Sequence, residues 1–189
     1  MRWSRAGVLR WVGLALGFVV LGCVVWAAGQ PNPMIPYPHN FQQNLVQYAI
    51  VDRPDGRSRD LYISRPGLEA LRRNQPLPVG TVLAIETFSV TGEQDSRGRM
   101  VRQKAENQVH LMTKIQPGEG LRTWGFGAYT LDAVPEPGTS ELPSFCLACH
   151  QIAMTKAEPV ISLDLLKQFA ATAEVQYFRC NRPEREVCP

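Results

Sequence analysis

"GTVLAIETFSV", residues 80–90, is the stretch on which the fold turns. It is rich in β-branched and aromatic residues and holds no internal breaker, so it reads as a strand. Leu83 and Ile85 alternate onto one face and Glu86 onto the other, where it is expected to be solvated or a dimer contact rather than a catalytic base. A polar turn, "TGEQDSRGR", follows at residues 91–99, and residues 99–115 form a second long strand with "QVHLMTKI" as its apolar part. "PGEG" turns the chain again, and "LRTWGFGAYTL", residues 121–131, is a third strand. Upstream, "FQQNLVQYAIVDR" is a short helix passing into a strand and "RDLYIS" is another strand. "PGLEALRRN" is a short helix with proline near its start. Downstream of the loop "VPEPGTSELP" the character becomes helical from Phe145. "SLDLLKQFAATAEV" is amphipathic, with Ser162 as its expected N-cap. These elements predict an α+β domain: a mainly antiparallel sheet of consecutive hairpins, short helices, and helices at the C-terminal end.

The 189 residues suffice for one well-packed domain. Of the 20 basic residues, Arg2, Arg5 and Arg10 stand ahead of every acidic one, and the 17 that remain equal the 17 Asp and Glu. A chain with no basic face cannot neutralise a phosphate backbone, so nucleic acid is not an expected partner. The three arginines instead precede an uncharged apolar run of 19 residues, 11–29, "WVGLALGFVVLGCVVWAAG". As a helix it would reach about 28 Å, the hydrocarbon thickness of a bilayer. Arginines held in the cytoplasm predict a bacterial inner-membrane anchor with the C-terminal domain in the periplasm. A cleaved signal peptide, cut after the small residues Ala27 and Gly29, is the alternative. Residues 30–40, with four prolines, read as an extended tether. Residues 41–178 are then the folded domain and 179–189 a tail.

Export matters for the cysteines, because free thiols in an oxidising compartment tend to be paired or attached. Beyond the apolar run there are Cys146, Cys149, Cys180 and Cys188. Cys180 and Cys188 are expected to form a disulfide that pins the tail. Cys146 and Cys149 belong to "FCLACHQ", residues 145–151. Attachment of heme c needs two thiols for the vinyl groups and an imidazole under the iron. Positions i, i+3 and i+4 of one helical turn supply all three. A zinc ribbon would require a second tightly spaced ligand pair, which Cys180 and Cys188 do not provide. A thioredoxin-like dithiol would follow a strand in a βαβ unit, and here the motif follows a loop. One heme c per chain is therefore expected, thioether-linked to Cys146 and Cys149, with His150 as axial iron ligand. Only 39 residues follow His150. Their sole methionine, Met154, lies one turn from it and cannot cross the ring. Met112 or His110, on one face of the second strand, is the candidate distal ligand.

The segments "YPHNFQQNLVQ", "RDLYISRPGLEALRRNQPLPVGTVLAIETFSV", "TWGFGAYTL" and "CLACH" occur in the order found in the cytochrome P-460 and cytochrome c′-beta family. The chain resembles that family from about Tyr37 to His150. The resemblance implies heme c against an antiparallel sheet, His150 as proximal ligand, an open distal position and a homodimer. In cytochromes P-460 proper, a strand lysine is joined covalently to the heme edge and the protein oxidises hydroxylamine. The match puts Ile85 at that position, with Lys104 and Lys114 on the next strand. Isoleucine cannot form the link, so the chain looks more like the c′-beta branch, whose distal pocket is apolar. Leu83 and Ile85, with Phe126 or Tyr129 approaching from the neighbouring strand, are the expected pocket residues. Such a wall favours a diatomic gas such as nitric oxide, which binds without a hydrogen-bond donor. The expectation is thus a heme-binding protein rather than an enzyme. An electron-transfer cytochrome serving a redox partner protein, or a subunit of a membrane respiratory or photosynthetic complex, is the alternative. Hydroxylamine oxidation is the weaker one.

Overall fold

The computed structural model describes residues 35–135, 142–151 and 158–180, without the side chains of 104–107 and 142–145. The apolar run 11–29 and Cys188 lie outside the described residues. Among those described, no helix is long and apolar enough to cross a membrane.

Chain order is α1 (Phe41–Asn44), β1 (Leu45–Asp52), β2 (Arg57–Ser64), α2 (Arg65–Arg72), β3 (Val82–Gln94) and β4 (Met100–Lys114). A 3-10 turn (Leu121–Thr123), β5 (Trp124–Thr130), α3 (Leu142–His150), α4 (Leu163–Thr172) and β6 (Gln176–Arg179) complete it. The six strands form one sheet in the order β5-β4-β3-β2-β1-β6. The neighbours from β1 to β5 are antiparallel: short connections join β1 to β2, β3 to β4 and β4 to β5, while α2 and the loop after it join β2 to β3. β6 is the exception: it runs parallel to β1, pairing Ala49 with Gln176 through Asp52 with Arg179. The sheet is therefore mixed. The short run "QYFR" carries no strong strand signal; its pairing comes from α4 returning the chain to the β1 edge. Cys180 N extends the ladder to Asp52 O at 2.8 Å, so the sheet reaches into the expected tail. Cys180 is disulfide-bonded.

Cross-strand register sorts the side chains onto two faces. Leu61 pairs with Ile85, Ile85 with His110, and His110 with Ala128. In the adjacent row Ile63, Leu83, Met112 and Phe126 line up. Both rows face the helices and join the larger core with Leu68, Val160, Leu163, Leu166 and Phe169. Ser162 stands at the N-cap of α4, yet its hydroxyl meets Tyr48 Oη at 2.7 Å instead of a helix N–H. A local capping pattern has lost to a buried long-range partner.

The other face buries Phe41, Tyr62, Ala84, Val109, Leu111 and Tyr129 beneath Ile35. Residues 35–40, read as tether, lie on this surface. Ile35 N donates to Phe126 O at 3.0 Å, and Tyr129 Oη donates to Ile35 O. Gly127 permits the approach, since a Cβ there would stand 3.1 Å from Ile35 O and 2.7 Å from the Tyr129 ring. Tyr129, a candidate pocket residue, thus sits on the face away from the Cys-x-x-Cys-His helix. Glu86 is on that face too, as its parity predicts, but it is buried rather than solvated, 3.3 Å from Tyr62 Oη.

Candidate heme-attachment site

α3 ends on the motif and packs against β5. Cys146 is half-buried against the main core and Cys149 is exposed. They lie three residues apart on one helix, so their sulfurs share a side of it. His150 closes the turn. Its Nδ1 is 2.7 Å from the carbonyl oxygen of Pro159. A carbonyl only accepts, so Nδ1 carries the proton and Nε2 keeps its lone pair. Burial lowers the His150 pKa, opposed by that hydrogen bond, so the neutral ring is favoured. The Phe126 ring lies 5.2 Å from the imidazole, centroid to centroid, tilted by 49°. Phe126, expected in a distal pocket, therefore stands directly beside the proximal candidate.

Leu83, Ile85, His110 and Met112 are on the same sheet face as Phe126, so register brings together the strand residues singled out in the sequence. His110 is mostly buried. Burial first, then the charges of Arg59, Arg57 and His150, push its pKa down to about 4, so it is a neutral imidazole at ordinary pH. Met100 is at the start of β4, paired with Gln94 in the distant hairpin end, and is removed from this group. Lys114 is committed to a buried ion pair with Glu158 at 2.8 Å.

Two residues that sequence reasoning passed over complete the face. Arg59 pairs in register with Thr87. Arg59 Nε and Thr87 Oγ1 are both buried without a hydrogen-bond partner among the described residues. Burial, followed by neighbouring charges, lowers the Arg59 pKa to about 10, and the Cys149 thiol lies within its electrostatic reach. Two adjacent orphaned polar groups on an otherwise apolar surface are costly unless something polar is brought to them. The signal was present in "RDLYIS": Arg59 shares parity with Leu61 and Ile63, a charge on the apolar side of a strand. The face is thus apolar at Leu83, Ile85 and Met112, and polar at Arg59, Thr87 and His110.

These residues fit heme c. Cys146, Cys149 and an imidazole of fixed tautomer stand on one helical turn, apolar side chains of β3, β4 and β5 lie on the sheet face towards the helices, and the donors Arg59 Nε and Thr87 Oγ1 would suit heme carboxylates. Among the described residues no three His, Cys, Asp or Glu side chains converge as a metal-ion set. The sequence model of the family described as Cytochrome P460 matches residues 38–162. No curated protein matches the chain.

Proposed function

The chain belongs to the cytochrome P460 family of c-type heme proteins, and from that premise we propose that it is a monoheme cytochrome binding a diatomic gas, such as nitric oxide, at an open axial position. When bound, heme c supplies an iron with a coordination position for that ligand and a one-electron couple. The chain supplies the rest. Cys146 and Cys149 would hold the group by thioethers and His150 would present Nε2, in an orientation fixed by Pro159 O. Leu83, Ile85 and Met112 would exclude water, while Arg59 and Thr87 would offer donors to the heme carboxylates. The observation that carries the reading is Ile85. Set in register between Leu61 and His110, it puts a branched hydrocarbon where a cross-linking lysine would otherwise stand, and hydroxylamine oxidation by that route is lost. The test is the ferrous absorption spectrum with and without nitric oxide. A high-spin spectrum that changes on addition of the gas supports the reading. A low-spin, six-coordinate spectrum indifferent to the gas rejects it.

His110 favours a second reading, electron transfer. It is a buried neutral imidazole on the same face, within the electrostatic field of His150, and an imidazole of that kind could serve as a second axial ligand, as could Met112. A low-spin spectrum that turns high-spin in His110→Leu would select it. In either case we place the domain in the periplasm, tied to the inner membrane by residues 11–29. Arg2, Arg5 and Arg10 ahead of that apolar run support the orientation. The anchor would hold the heme near membrane redox partners. Fractionation of the full chain, with protease protection, tests this.

A further inference from the structure

The most deeply buried charge outside the site belongs to Lys114. Its side chain is 1% exposed and that of its partner Glu158 is 10% exposed. Lys114 Nζ donates to Glu158 Oε1 at 3.0 Å, to Oε2 at 2.8 Å and to Gly118 O at 2.7 Å. Trp124 Nε1 adds a donor to Glu158 Oε2 at 3.2 Å, and Nζ stands 5.1 Å from the Trp124 ring centroid. Taking two charges out of water is expensive, so such a pair is a poor device for stability alone. What it does well is fix a position, because either charge leaving its place is left unpaired.

The position fixed is informative. Glu158 is bonded directly to Pro159, whose carbonyl accepts from His150 Nδ1 at 2.7 Å. Proline locks its own φ, so the link from the Glu158 backbone to that carbonyl is stiff. On the far side Val160 is buried in the main core, and its carbonyl accepts from Leu163 N at 3.1 Å. The acceptor is therefore clamped between a charged anchor and an apolar one. Lys114 and Trp124 are cross-strand partners on β4 and β5, so the anchor is built on the same two strands that carry Met112 and Phe126.

We propose that Lys114, Glu158 and Trp124 are positioning residues for the axial ligand: they hold the Pro159 carbonyl on His150 Nδ1 and so set the orientation and basicity of Nε2. This rests on the reading of His150 as ligand to a heme held by Cys146 and Cys149. A carbonyl acceptor on the far nitrogen raises the basicity of a ligating imidazole, and loss of such outer partners typically changes metal affinity by about tenfold or more. A more basic ligand favours the ferric state. Loosening the carbonyl therefore weakens the iron–Nε2 bond and raises the reduction potential. A tenfold change in the ferric-to-ferrous affinity ratio corresponds to about 59 mV for one electron.

The test uses the full heme-loaded chain. A Lys114→Met/Glu158→Leu double variant removes the pair without leaving a lone buried charge, and Glu158→Gln keeps the shape and an acceptor oxygen. Leu166→Ala, a core truncation that removes none of the polar groups of the network, is the control for general destabilisation. Three quantities are read: covalent heme per chain, the iron–Nε2 stretch of the ferrous protein by resonance Raman, and the midpoint potential. The double variant should keep its heme, lower the stretching frequency and raise the potential by about 59 mV. Glu158→Gln should shift both the same way by less, and it carries the test if the double variant does not fold. Leu166→Ala should lower the unfolding temperature and move neither. Wild-type frequency and potential in the heme-loaded variants would overturn the proposal, as would equal shifts in Leu166→Ala. Absence of covalent heme from the unsubstituted protein would instead remove the reading beneath it, and the first measurement separates that case.

Discussion

The two faces of the sheet solve the burial of polar groups in opposite ways. On the face away from the helices most polar groups serve one another, and Asp60 Oδ1, which has no hydrogen-bond partner among the described residues, is held by the charge of Arg102. Tyr62 reaches Glu86 at 3.3 Å, and Arg102 lies 2.7 Å from Asp60 as an ion pair. Asp52 accepts from Ser58, Tyr177 and the Met100 N–H at 2.6, 2.6 and 2.9 Å. On the helix-bearing face, Arg59 Nε and Thr87 Oγ1 are left without a hydrogen-bond partner among the described residues, on the side that carries Cys149 and His150. A surface whose polar groups are largely paired is closed by the chain alone. One that leaves two adjacent donors over offers them to a further group, and the family is one of heme proteins.

The largest effect that could break this comparison is loss of the group itself. Cys146→Ser/Cys149→Ser should abolish covalent attachment, read as the absence of the heme mass on the intact chain. His150→Ala should leave the thioethers formed but destroy the wild-type spectrum. Equivalent disruption by Glu86→Gln, on the far face, would show that the faces are not functionally distinct. Next in size is the core that joins helices to the heme-bearing face. Leu166 is fully buried there, so Leu166→Ala should lower unfolding free energy by about 2–5 kcal/mol in urea denaturation. A cost near zero would mean that α4 does not close the core.

Most of this comparison was legible in the sequence, for a definable reason. Alternation in residues 80–90 fixes which side chains share a face, and the polar turns fix that β3 and β4, and β4 and β5, are antiparallel neighbours. Leu83, Ile85, His110, Met112 and Phe126 therefore assemble as parity requires. What could not be read is anything decided by partners distant in sequence. Ser162 looks like a helix cap until Tyr48 arrives from β1. Residues 35–40 look like a tether because prolines disfavour regular structure, yet one glycine at 127 makes room for Ile35. Glu86 looks solvated because a carboxylate usually is, and it is buried because Tyr62 is next to it. Pro159 and Glu158 carried no signal, since their role depends on a carbonyl meeting a ring nine residues away.

A smaller effect sharpens the contrast through its sign. Arg59 is buried with an orphaned Nε, and an unsatisfied buried donor costs about 1–3 kcal/mol. In the heme-free Cys146→Ser/Cys149→Ser background, Arg59→Leu should therefore raise stability by an amount of that order. In the heme-loaded protein the same change should lower it, because a heme carboxylate would then have lost its guanidinium partner. Urea unfolding of the four proteins measures both. The same sign in both backgrounds would mean that Arg59 has no partner in the heme.

The smallest effect tests the self-sufficient face. Tyr177 donates to Asp52, and burial first, then this hydrogen bond and the carboxylate charge, push its phenol up to about 12 from an ordinary 10.0. The folded state holds this proton where the unfolded chain has released it. Stability attached to the group is therefore complete below pH 10 and declines as pH rises through the window toward about 12. Buried Tyr62 is shifted in the same direction, so wild-type stability should fall with pH there for more than one reason. Tyr177→Phe should reduce the slope by about one proton while leaving the heme spectrum untouched. Urea unfolding across that window reads the slope, and an unchanged slope would show that Asp52 does not hold the Tyr177 proton. A spectral change would be the more serious result, because it would mean that a network closed on the far face still reaches the heme.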